Sequence, residues 1–103
     1  MATIREHYAL IDGKRFDDGY ELMSSQLRSL NSRADYASWF TNKVSIRALS
    51  VDLVSETGDQ AVVRSVVTTT DLVNGAEAVA TVSEEFNLRR EGGAWRIDRV
   101  RRL

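Results

Sequence analysis

The chain has no cysteine, no proline and a single histidine, and only Lys14 and Lys43 among its fourteen basic residues are lysine. Without cysteine there is no disulfide framework and no thiolate metal site. One histidine excludes a multi-histidine metal centre, so no metal and no cofactor are expected. Without proline, no strand or helix is interrupted by a missing backbone donor. No run approaches the ~18 apolar residues of a membrane span, and the N-terminus lacks a signal-peptide core. A net charge of −1 argues against general nucleic-acid binding. What remains, in 103 residues with 43% hydrophobic and 28% charged side chains, is one domain, residues 1–103, large enough to bury a real core.

Helical spacing fills the first forty residues. Ile4, His7, Tyr8 and Ile11 form one apolar stripe, and Gly13 suits a left-handed cap. A second short helix is expected from Phe16 to Met23, with Asp17 and Asp18 early, where the helix dipole favours them, and Ser24-Ser25 ending it or marking a bend. A third starts at Ser32, whose partner three residues on, Asp35, makes a capping-box pair; Tyr36, Trp39 and Phe40 follow.

From Lys43 the period changes. Four stretches rich in Val, Thr and Ile, about 43–54, 60–73, 76–89 and 94–101, are separated by turn signals at 56–59, Asn74-Gly75 and 91–93. Asn-Gly demands positive φ at both positions and is a strong hairpin signal. A two-residue turn there pairs Val67 with Val82, Val63 with Phe86, Ala61 with Leu88 and, on the other face, Arg64 with Glu85. The layout is α+β: three N-terminal helices packed on a curved four-stranded antiparallel sheet. The second sheet face carries Val62 and Val66, which Leu49, Val51 or Leu53 can join, so both faces need cover. A second subunit is the simplest cover, and a homodimer is expected.

Glu84 stands out by phase, because it lies between Val82 and Phe86 on the apolar face with Ser65 opposite. With Glu91-Gly92 as the last turn, Arg99 is its cross-strand partner; Gly92-Gly93 as the turn would shift the partners. The pair reads either as an acid/base or ligand anchor in a pocket or as an ion pair at the sheet rim. Likewise His7 is a general base or a residue at a packing boundary, and Tyr8 an oxyanion donor or a core aromatic. Asp35 is a second carboxylate available to act as base. Trp39, Phe40 and Phe86, with Tyr36 and Trp95, line a cavity or fill the core. The last fifteen residues hold six arginines against Glu91 and Asp98, a charge-protected edge strand or a contact for an acidic partner, phosphate or a membrane surface.

Two segments carry a family resemblance. The run from Tyr8 to Ser24, with its Asp12-Gly13 turn, Phe16, Gly19-Tyr20 and Leu22-Met23-Ser24, resembles the opening of nuclear transport factor 2-like domains. Gly92-Gly93-Ala94-Trp95-Arg96-Ile97-Asp98 resembles their last hairpin. Among these domains the chain is most similar to small bacterial accessory domains, and its preference for arginine over lysine is compatible with a high-GC bacterial source. The resemblance implies a cone-like, cystatin-like roll that leaves a pocket. It also implies a choice of functions, since the superfamily includes ketosteroid isomerases, SnoaL-like cyclases, epoxide hydrolases and non-catalytic binding domains. The reading that follows is a non-catalytic accessory domain that binds a hydrophobic small molecule or a protein and self-associates through its sheet. The alternative is a small isomerase, cyclase or hydrolase with a carboxylate base. The expected compartment is the bacterial cytoplasm, or an extracytoplasmic space if the domain belongs to an envelope protein.

Overall fold

The computed structural model describes residues 1–103. Four short helices, α1 (Ala2–Asp12), α2 (Phe16–Tyr20), α3 (Ser25–Leu30) and α4 (Arg33–Ser38), precede four strands, β1 (Lys43–Thr57), β2 (Gln60–Val73), β3 (Ala76–Glu91) and β4 (Ala94–Arg102). The strands form one antiparallel sheet in the order β1-β2-β3-β4. No helix is long and apolar enough to cross a membrane.

The fourth helix corrects the expected three. Ser24 does not end a helix but begins one: its hydroxyl accepts from the Leu27 amide at 3.1 Å and donates to Asp98 Oδ1 at 2.6 Å. An N-cap serine satisfies an orphan amide of the first turn, which is why a helix starts where a stop or a bend was expected. The same stretch joins the sheet. Met23 bridges Ile97 in parallel, with Ile97 N donating to Leu22 O at 2.8 Å and Ser24 N to Ile97 O at 2.7 Å. The edge of β4 is thus paired by main chain near its start, as well as guarded by charge. The α1 cap also differs from expectation. Gly13 has φ −81°, and the left-handed residue is Lys14 at φ 60°. Arg15 N reaches Leu10 O and Lys14 N reaches Ile11 O, the double closure of a Schellman turn one residue later than the glycine suggested.

The central hairpin has the register that the apolar alternation requires. Val67 faces Val82, Val63 faces Phe86, Ala61 faces Leu88 and Arg64 faces Glu85, with Asn74 and Gly75 both at positive φ. In β1, a shift at Leu49 reverses the phase, so that Val51 faces Ser65 and Leu53 faces Val63 on the helix side. The outer face therefore keeps Val62 and Val66 but not Val51 or Leu53. The helices cover only the middle of the 45 Å molecule. Ile4, Ile11, Tyr36, Val63, Val67, Phe86, Leu88 and Ile97 are sealed there, while Leu53 and Val73 near the hairpin tips remain half exposed.

One contact between helices explains a glycine. A Cβ on Gly19 would stand 2.6 Å from the Tyr36 hydroxyl. That hydroxyl is buried without a hydrogen-bond partner. Tyr36→Phe removes an unsatisfied polar group and is expected to be neutral or stabilising by up to ~1 kcal/mol. Gly19→Ala alone is expected to lower the melting temperature, and to lower it much less when combined with Tyr36→Phe. Thermal denaturation of the three variants checks this, and equal losses from Gly19→Ala in both backgrounds would refute the clash.

Candidate functional site

His7 and Tyr8 are consecutive on α1 and both buried, because the apolar stripe of a helix is wide enough to hold neighbours at i+3 and i+4. Tyr8 reaches the centre of the sheet, over the cross-strand pair Ser65 and Glu84. Its oxygen lies 2.6 Å from Ser65 Oγ and 2.8 Å from Glu84 Oε1. A phenol has one proton and a carboxylate only accepts. Tyr8 therefore donates to Glu84, and Ser65 donates to Tyr8. Burial, followed by the charge of Glu84, pushes the Tyr8 hydroxyl far above its ordinary value, so it stays protonated. The second carboxylate oxygen of Glu84 has no partner within the chain.

With Ser65 buried behind them, Tyr8 and Glu84 open onto a cavity of about 220 Å³. Its walls are His7, Met23, Trp39, Phe40, Ile46, Val82 and Val100, with Lys43, Thr69 and Arg102 as further polar groups. Trp39 is half exposed at 51%. Lys43 is engaged by Asp71 at 2.8 Å. His7 packs edge-on against Phe86, with ring centres 5.6 Å apart. Burial lowers its pKa to about 4, so the imidazole is neutral at physiological pH, and its Nδ1 has no partner. No three His, Asp or Glu side chains stand together as a metal cluster.

The structure brings together Glu84, Tyr8, His7, Trp39 and Phe40 around this cavity. Three other sequence candidates lie elsewhere. Phe86 is fully buried beneath His7 and Tyr8, in the core and not on the cavity wall. Asp35 is exposed, where its carboxylate accepts from Ser32 N at 3.2 Å while Ser32 Oγ accepts from Asp35 N at 3.0 Å. It is a helix cap, and the capping geometry accounts for it. Arg99 faces Asn87, and Arg102 faces Glu84. Two local events moved that partner. The last turn is Gly92-Gly93, both at positive φ, and a bulge near Asp98 inserts one residue, turning Arg99 out and Val100 in. Sequence reasoning missed Lys43, Thr69 and Arg102 as cavity residues. The second glycine of the turn signals Arg101 as the partner of Glu84, and only the bulge, which has no signal in the sequence, moves the pairing on to Arg102.

No protein-family model matches the chain, and no curated protein matches it in sequence. Solved structures do match it in shape. A SEC-C motif containing protein from Rhodopseudomonas palustris superposes with a TM-score of 0.73 at 22% identity, over 99% of this chain and 77% of that one. An NTF2-like protein with a cystatin-like fold from Novosphingobium aromaticivorans gives 0.72 at 16% identity, over 98% and 76%. The association domain of CaMKII from C. elegans gives 0.70 at 18% identity, over 96% and 88%. The chain has the nuclear transport factor 2-like, cystatin-like fold that its sequence resembles. Identities this low speak to fold alone, and the fold serves many functions.

Proposed function

We propose that this chain is a non-catalytic domain that binds a small molecule in the cavity beneath α1 and self-associates through the outer face of its sheet. The observation that carries the first half is the Tyr8–Glu84 hydrogen bond. An isomerase-like use of Tyr8 needs its proton for a substrate oxygen and Glu84 as an unencumbered base. Here the one proton of Tyr8 is given to Glu84, which leaves no donor for a substrate oxygen. The enzymatic alternative requires Tyr8 to leave Glu84 when substrate enters.

Support for the second half comes from the bare outer face. At its centre lie Ser50, Val66 and Ser83 in one row and Thr68 and Thr81, with Arg47 beside them on β1, in the next, mostly small side chains on a surface that no helix covers. The association domain of CaMKII shares the fold. Light scattering at tens of micromolar is expected to give twice the 11.6 kDa chain mass. Val66→Glu, which places a charge at the centre of that face, is expected to give the monomer with unchanged circular dichroism. A monomeric mass for the unaltered chain would overturn self-association.

A further inference from the structure

Every proton of the Ser65–Tyr8–Glu84 chain points the same way: Ser65 donates to Tyr8 and Tyr8 to Glu84 Oε1. What the chain presents to a ligand is therefore an acceptor, the unpartnered Glu84 Oε2. A ligand must bring the hydrogen. Its charge is constrained as well. Lys43 is already paired with Asp71, and Arg102, which stands opposite Glu84 on the same cavity, disfavours a further cation, while an anion at that end would meet the carboxylate. His7 is neutral and adds no charge. At about 220 Å³ the space is below the ~300–1,000 Å³ of pockets for drug-sized ligands and suits a single ring. Trp39, Phe40, Val82 and Val100 offer that ring an apolar wall.

We infer that the cavity selects small, uncharged one-ring molecules bearing a hydroxyl or N–H donor, of which simple phenols are the type, with the donor on Glu84 and the ring against the Phe40–Val82 wall. The inference rests on the cavity being a binding site and deepens that reading by stating its chemistry.

Titration of the full chain followed by amide NMR separates the two. Three one-ring probes are compared: 4-methylphenol, its methyl ether 4-methylanisole, which lacks the donor and is one carbon larger, and benzylammonium, which carries charge. The phenol is expected to shift the Thr69 and Val82 amides and to bind about 10- to 100-fold more tightly than the ether, the usual worth of a hydrogen bond to a charged acceptor. Glu84→Gln, which turns a donor towards the ligand, is expected to shrink that preference to less than about threefold. Equal affinity for phenol and ether would overturn the donor requirement while leaving the cavity a binding site. Tighter binding of benzylammonium would overturn the uncharged class. Absence of any shift at Thr69 and Val82 with all three probes would overturn the binding site itself. If Glu84→Gln does not fold, the phenol and ether comparison on the unaltered chain decides alone.

Discussion

Phe86→Ala is expected to cost about 3–5 kcal/mol of folding stability, the range for removing a buried aromatic ring from a core that closes only partly. Phe86 is fully buried, its ring packed edge-on against both His7 and Tyr8. Small domains hold only about 5–15 kcal/mol in total, so the variant sits near the limit of folding. In urea its midpoint is expected to fall by roughly 2 M. Trp39→Ala provides the contrast. Trp39 is half exposed at the cavity, and its loss is expected to cost under ~1 kcal/mol while weakening ligand binding. Equal destabilisation by the two variants would contradict the division of the aromatics into core and cavity wall.

The second large effect is a dependence of stability on pH carried by His7. Its pKa is lowered from the ordinary 6.5 to about 4 by burial. In the unfolded chain the imidazole takes up its proton near pH 6.5, and in the folded chain only near pH 4. Between those values the unfolded state binds more protons, so stability falls as pH falls. The loss relative to pH 7 is expected to be about 1 kcal/mol at pH 5.5 and about 3 kcal/mol at pH 4. Two other groups act lower in the range. Glu85, held down by Arg101 and Arg64, and Glu91, held down by Ser25, have folded pKa values below the ordinary 4.5. Their stabilisation fades as pH falls through and below that value, so the interval from 7 to 5.5 isolates His7. His7→Phe is expected to flatten the profile there, as measured by urea denaturation at each pH. A slope that survives this substitution would assign the titration elsewhere.

The central hairpin was readable because its information is local and redundant. Asn74-Gly75 can take positive φ, and strand alternation then leaves one register that buries Val63, Val67, Phe86 and Leu88 together. The α1 stripe and the Ser32 cap were readable for the same reason: each depends on residues within a few positions of one another. Register on β1 and β4 was less legible. A bulge costs the sheet one unpaired residue and leaves no compositional mark, yet it exchanges the faces of everything beyond it. That is how Arg102 came to stand opposite Glu84, and how Val51 and Leu53 came to the helix side.

The candidate site divides along the same line. By itself the amino-acid sequence determined that the domain has no thiolate or multi-histidine metal chemistry, that it is α+β with helices first, and that Glu84 lies on an apolar face with Ser65 opposite. Only the tertiary structure decided what Glu84 does there. Tyr8 is 76 residues away in the chain, and its single proton goes to Glu84 because α1 crosses the sheet at that pair. Periodicity assigns a side chain to a face, but the partner it meets on that face depends on how helix and sheet are placed in space.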